Sequence, residues 1–332
     1  MSALQQKWVQ SEIHSMTGGK QLVSIRFLDQ FKLYEDQSGM MSYVERAIRK
    51  AVNILERSYC NHLNPSIFGG EKKLRDDSII VSMTTFPARI GYVHLAIKSL
   101  LNQTVKPGKI ILWLAKDQFQ DVEIPQQLRA LCTYGLEIRF CDEDLFAHKK
   151  YYYAMRAFPE QIIVTYDDDI LYPEDSLEKL LAMHRRYPNA IICNRGREIK
   201  MENGFVASYK DWKVSGRVPV GLPSYRVMAS TGAGTLYPPH CMPEETFDIE
   251  KIRSLALTAD DLWMKVMSIL GGVPVVKSQT RGKALCLSKG KQNITLAHQN
   301  VDQNLNDQVM KNLLTHYPQV LHTLLEDGEK YE

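Results

Sequence analysis

The run Gln161-Ile162-Ile163-Val164-Thr165 leads directly into Tyr166-Asp167-Asp168-Asp169. A short apolar run of this kind reads as a buried strand, and three carboxylates at its end are costly to desolvate unless positive charge meets them. A divalent cation is the natural counter-charge, because carboxylate oxygens suit Mg²⁺ or Mn²⁺ and such ions complete their shell with water and substrate phosphate. The chain therefore reads as an enzyme for a phosphorylated or nucleotide-linked substrate. The competing reading is an acidic loop that caps the next helix, with Pro173-Glu174-Asp175 as its first turn.

From Ser78 onward short apolar runs alternate with helical periods. Strands are expected at Ser78–Met83, Lys109–Leu114, Leu136–Cys141 and Gln161–Tyr166, with helices at Tyr92–Asn102, Gln126–Tyr134 and His148–Phe158 between them. A helix at Glu174–Tyr187, a strand at Ala190–Cys193, an irregular Gly/Pro-rich stretch at Arg195–Gly221 and a buried run at Ser230–Tyr237 follow. The helix Asp260–Leu270 and the strand Val273–Val276 come next. This order predicts an α/β fold with a mostly parallel sheet flanked by helices, in which ligands bind at the carboxyl ends of the strands. The acidic cluster lies at such an end.

Residues 1–77 differ. Val44, Ala47, Ile48, Ala51, Ile54, Leu55 and Tyr59 share one helical face, so a helical extension is expected ahead of a catalytic domain at 78–332 with a helical tail. Arg46, Arg49, Lys50 and Arg57 on its other side admit peripheral membrane contact, docking on the catalytic domain or oligomerisation. Asn61 to Gly70 punctuates the boundary.

A formal charge of +3 in 332 residues gives no support for nucleic-acid binding. Six scattered cysteines without a Cys-x-x-Cys pair fit free thiols in a reducing compartment. No run reaches the ~18–20 apolar residues of a membrane span, and the polar start lacks a signal-peptide core. The expectation is a cytoplasmic protein, at most at the inner face of the membrane. Asn293-Ile294-Thr295 is then an unmodified surface site.

Four segments combine into one chemical picture. Thr84, Thr85 and Arg89, after the first strand, offer hydroxyls and a cation to a nucleotide. His148-Lys149-Lys150 places cations where a diphosphate needs neutralising, with Tyr151-Tyr152-Tyr153 for stacking or packing. Asp167-Asp168-Asp169 is the third segment. The fourth is Asp260-Asp261, at a helix start, where one carboxylate serves as N-cap and the other as general base. Between these, Gly232 and Gly234 would let the backbone approach a ligand such as a sugar ring. No phosphate loop and no Gly-x-Gly-x-x-Gly follows the first strand, so kinase and dehydrogenase readings lose their support.

The strand-end Asp167-Asp168-Asp169, the Gly-rich strand ending Tyr237-Pro238-Pro239, the Asp260-Asp261-x-Trp263 helix start and the Thr84-Thr85-Phe86-Pro87-Ala88-Arg89 segment resemble the bacterial GT-A-fold, family 2-like glycosyltransferases of surface polysaccharide synthesis. The resemblance covers Ser78 to Tyr317. It implies a UDP-sugar or other nucleotide-sugar donor held through Mn²⁺ or Mg²⁺, and an oligosaccharide or lipid-linked glycan acceptor. By position, Asp169 would be the principal metal ligand, with Asp167 meeting ribose or donor sugar as well as metal. Thr84, Thr85, Arg89, Lys150 and Asp168 would line the nucleotide, and Asp117 or Asp142 would meet the base. Asp261 would be the base of an inverting reaction, with Asp260 where Glu is usual. His298 would be a further metal ligand, or else a structural histidine.

The rival readings are a sugar nucleotidyltransferase, which calls for a Gly-rich loop that Thr84–Arg89 lacks, and a non-catalytic carbohydrate-binding or scaffold subunit.

Overall fold

The computed structural model describes residues 75–213, 217–278, 285–286 and 304–329, with residues 51, 54, 55, 58 and 60–62. The chain divides into two compact units, Met1–Asn64 and Pro65–Glu332, within the Asn61–Gly70 stretch that the sequence punctuates. In the first unit the described positions between 51 and 62 are helical. The rest of the amphipathic segment and His298 lie outside the described residues.

The second unit is built on β1 (Arg75–Thr84), β2 (Lys106–Ala115), β3 (Leu136–Cys141) and β4 (Ile162–Tyr166), joined by α1 (Val93–Leu101), α2 (Gln126–Arg129) and α3 (Lys149–Ala157). β1 pairs in parallel with β2 and β4, and β2 with β3. These strands read as continuous apolar runs because both faces are covered: Ile79 to Met83 and Ile110 to Ala115 are buried without interruption. The expected helix at Gln126–Tyr134 splits, since after Arg129 the turns tighten to 3₁₀ over Ala130–Tyr134 and stop at Gly135, whose φ of 107° ends the helix.

The fourth helix, α4 (Ser176–Arg186), starts after Pro173-Glu174-Asp175 rather than with it. Glu174 instead accepts hydrogen bonds from Asn102 Nδ2 and Thr104 N. The stretch expected to be irregular contains β7 (Gly196–Glu198) and a hairpin of β8 (Met201–Glu202) and β9 (Phe205–Val206), after β5 (Ile170–Leu171) and β6 (Ile191–Cys193). Asn203 and Gly204 both take positive φ at the hairpin tip, the Asn-Gly signal for a tight turn whose twist suits paired strands.

β10 (Pro223–Ser224), β11 (Val227–Ala229), β12 (Ala233–Tyr237) and β13 (Val275–Lys277) follow. The eight-stranded sheet runs β10-β13-β6-β12-β4-β1-β2-β3. It is mostly parallel and flanked by helices, as expected for a GT-A arrangement. The exception that matters is β12, which lies antiparallel between β4 and β6 and so lays the Ser230–Gly232 turn across the end of β4. Two short turns of helix and a π-helical stretch at Ile252–Ala256 lead into α5 (Asp260–Leu270). α6 (Leu305–His316) and α7 (Gln319–Glu329) close the chain, and Asp327 accepts from Ser224 Oγ and from Tyr225 N and Arg226 N.

Candidate active site

Two acidic clusters meet at the carboxyl ends of β1 and β4. In the first, Arg89 Nη1 lies 2.7 Å from Asp168 Oδ1 and 3.0 Å from Asp169 Oδ2. Thr85 Oγ1 donates to the other Asp168 oxygen at 2.5 Å. Asp168 is 6% exposed, so burial pushes its carboxyl up against the opposing pull of Arg89. Both oxygens are committed inside the protein, which makes Asp168 the residue that aims Arg89 and Thr85. Asp169, one-fifth exposed, is pushed up to about 6 by burial and by Asp167, more than Arg89 can offset.

Asp167 turns the other way. Its carboxylate accepts from Lys150 Nζ at 2.7 Å and is 40% exposed. Its backbone is pinned by Tyr172, whose hydroxyl accepts from Asp167 N and donates to Gly232 O at 2.6 Å. A Cβ built on Gly232 would overlap the Asp167 carboxylate. Glycine is therefore required here to seat a side chain of the protein, not a sugar ring. Gly234, at φ 96°, similarly makes room for Asn194 and Tyr166.

The second cluster sits on the first turn of α5, where the helix dipole favours negative charge. Neither aspartate caps the helix: the N-cap is Ala259. Asp260 Oδ2 accepts from Lys150 Nζ at 3.0 Å and from Thr231 Oγ1 at 2.6 Å. Burial pushes its carboxyl up, but Lys150, the neighbouring His148 and the Thr231 hydroxyl together outweigh this and hold it below the ordinary range. Asp261 Oδ1 accepts from Thr231 N at 2.8 Å and lies 2.6 Å from the same Thr231 Oγ1, whose single hydrogen the two carboxylates share. Burial and Asp260 push it up to about 6, more than Lys150 and the Thr231 hydrogen bonds offset.

Lys150 bridges the clusters. It is 2% exposed, and although burial disfavours its charge, Asp167 and Asp260 hold its pKa well above the usual ammonium value. Its neighbours in sequence do different work. His148 is fully buried, with Nε2 2.9 Å from Ala256 O and Nδ1 2.7 Å from Tyr151 Oη, and burial drives its pKa down. It is a neutral strut, not a cation for a diphosphate. Lys149 is buried against Asp144. The stacking expected of the tyrosines is internal: Tyr151 and Tyr152 are core residues.

The remaining expected residues fall outside this constellation. Thr84 Oγ1 donates to Trp113 O at 2.9 Å, which ties β1 to β2. Asp142, at the end of β3, is 83% exposed and pairs with Lys116 at 2.5 Å. Asp117 accepts from Gln118 N. Conversely, Thr231 serves Asp260 and Asp261, and Tyr172 ties Asp167 to Gly232; both lie within segments singled out in the sequence, yet neither was expected among the site residues.

Among the described residues no three His, Cys, Asp or Glu side chains converge to cage a metal. Four carboxylates nevertheless pair with two cations, Arg89 and Lys150, and Asp169 is one-fifth exposed. That donor set fits a hard cation which takes most of its shell from water and substrate oxygens.

Residues 80–240 match the family described as Glycosyl transferase family 2. That stretch, just under half of the 332 residues, is similar to the family and holds Arg89, Lys150 and the Asp167–Asp169 cluster. No curated protein matches the chain. Solved structures similar to it include residues 1–349 of S. aureus TarS, at 14% identity, 76% of this chain, 72% of that chain and a TM-score of 0.40. The same TarS fragment in complex with UDP-GlcNAc gives 14% identity, 76% and 73% coverage and a TM-score of 0.43. An apo UDP-glucose pyrophosphorylase gives 9% identity, 74% and 99% coverage and a TM-score of 0.36. Among the described residues no helix is long and apolar enough to cross a membrane.

Proposed function

We propose that this protein is a glycosyltransferase that moves a hexose or N-acetylhexosamine from a UDP-sugar to a hydroxyl of a glycan acceptor, with divalent-cation dependence and inversion at the anomeric carbon. The observation that carries the reading is the meeting of two carboxylate clusters, Asp167–Asp169 and Asp260-Asp261, on either side of the buried Lys150 ammonium. They suit the two demands of the reaction: charge stabilisation at the leaving group and proton removal at the nucleophile.

A cation held by Asp169, with Asp167 beside it, would supply Lewis-acid stabilisation of the leaving diphosphate. Arg89, aimed by Asp168, adds fixed positive charge on that side. Asp261 removes the proton from the acceptor hydroxyl. The acceptor oxygen then bonds to the anomeric carbon as the bond from that carbon to the diphosphate oxygen breaks. Thr231 orients the base, and Lys150 keeps Asp260 ionised beside it. Synthesis of a bacterial surface polysaccharide, at the inner face of the membrane, is the setting this reading implies.

The experiment is release of nucleoside diphosphate from a panel of UDP- and GDP-sugars with Mn²⁺ or EDTA, for the native chain and Asp169→Asn. Metal-dependent release from one donor, lost in the variant, is the expected result. Release of pyrophosphate, or no turnover of any donor with glycan acceptors present, would overturn it.

A further inference from the structure

Behind Asp261 lies a cavity of about 10 Å³ lined by Ile191, Ala229, Tyr237, Asp261, Met264, Lys265, Ser268 and Val275. Two of these residues are chemically out of place. Lys265, one helical turn after Asp261 on α5, is 2% exposed, and its Nζ has no hydrogen-bond partner in the protein. Tyr237, at the end of β12, is 1% exposed, and its hydroxyl is equally unpartnered. Buried polar atoms are seldom left so, and the volume is about that which one water needs.

We infer that a single buried water in this cavity joins Tyr237 Oη, Lys265 Nζ and the Asp261 carboxylate, making Lys265 the positioning residue that receives the proton which Asp261 takes up. This rests on Asp261 being the base. Each orphaned atom gains a partner: the water donates one hydrogen to Asp261 and one to the lone pair of a neutral Lys265, and accepts from Tyr237. When Asp261 is protonated, its O–H bond breaks as an O–H bond forms on the water. A water O–H bond breaks in turn as N–H forms on Lys265, leaving carboxylate and ammonium.

The surroundings permit both states of the amine. Burial lowers the Lys265 pKa to about 7, with Asp327 of α7 and Cys193 of β6 drawing it up. Tyr237 is held well above the usual phenol value by burial and by Asp261, so it remains a donor.

The test is carboxyl ¹³C titration of Asp261 in the full chain without donor or acceptor, native and as Lys265→Met and Tyr237→Phe. It reads the unit whether or not the protein proves to be a transferase, and donor turnover by the native chain reads the functional assignment separately. In Lys265→Met the Asp261 midpoint is expected to rise by about one pH unit, because a nearby ammonium favours the carboxylate below neutrality; Tyr237→Phe should shift it less. In turnover, Lys265→Met should lower kcat and displace the acid limb of the pH profile in the same direction, with KM little changed. An Asp261 midpoint unmoved in both folded variants overturns the proposal. So does a high-resolution structure with no solvent within hydrogen-bond reach of Lys265 Nζ and Tyr237 Oη. If Lys265→Met does not fold, Tyr237→Phe decides.

Discussion

The Asp167–Asp169 cluster and the Asp260-Asp261 pair are made of the same carboxylate, yet they solve the problem of burial differently. The strand-end cluster is clamped by Arg89, a fixed fork that serves two aspartates from one nitrogen. The helix-start pair relies on the dipole of α5, the Thr231 hydroxyl and a Lys150 it must share with Asp167. In each, one carboxylate is lifted to about 6, Asp169 despite its contact with Arg89. The difference lies in what the lifted carboxylate can reach: Asp169 sits in a charge cluster suited to a cation, Asp261 beside neutral hydrogen-bond donors suited to proton transfer.

The severest way to break this comparison is to remove the shared cation. Lys150→Met should destabilise the fold by about 3–5 kcal/mol in urea denaturation, because Asp260 is left buried without its partner, and should abolish turnover. Next, Asp169→Asn and Asp261→Asn should separate the two roles. The first should lose the Mn²⁺-induced rise in Tm. The second should keep that rise while turnover drops about 10²–10⁴-fold; identical behaviour of the two variants would erase the distinction. Gly232→Ala should cost about 1–3 kcal/mol, since the new methyl group must displace the Asp167 carboxylate or the β12 backbone, and donor KM should rise with it.

A pH effect sharpens the same point. The Asp169 carboxyl is raised from about 4 when unfolded to about 6 when folded, so the folded state binds more protons between these values. Its contribution to stability is therefore present at low pH and lost as pH rises through about 6. Mn²⁺ should accordingly raise Tm more at pH 7.5 than at pH 5, and an equal increment at both would show that Asp169 is not where the cation acts. The smallest effect expected is from Thr231→Val, about 1 kcal/mol or somewhat more for lost hydrogen bonds. It should also move the acid limb of the turnover profile upward, because the ionised Asp261 loses a donor.

Much of the framework was legible along the chain. Ile79 to Met83, Ile110 to Ala115 and Ile162 to Tyr166 are apolar runs of strand length, and parallel strands covered on both faces have no other pattern to show. The Asn203-Gly204 hairpin was missed within a stretch read as irregular, because its strands are two residues each and leave no alternation to notice. Of the residues the sequence singled out, the structure brings together Asp167, Asp169, Asp260, Asp261, Arg89 and Lys150. Thr84 and Asp142 were singled out as well, and their hydrogen-bond and ion-pair partners prove to be Trp113 and Lys116. His148 reads as a cation in a basic run and is a neutral buried strut, because its surroundings come from Ala256, far along the chain.

The sequence by itself determined the order of strands and helices, and therefore which end of the sheet gathers the carboxylates, since hydrophobic periodicity and strand termini are local properties. Only the tertiary structure decided which partners each carboxylate meets. The antiparallel entry of β12 beside β4 brings Thr231 onto Asp260 and Asp261 and Gly232 under Asp167, and α3 carries Lys150 between the two clusters. Charge state depends on burial and on partners within a few ångströms, and those distances are set by packing between segments that no local pattern links.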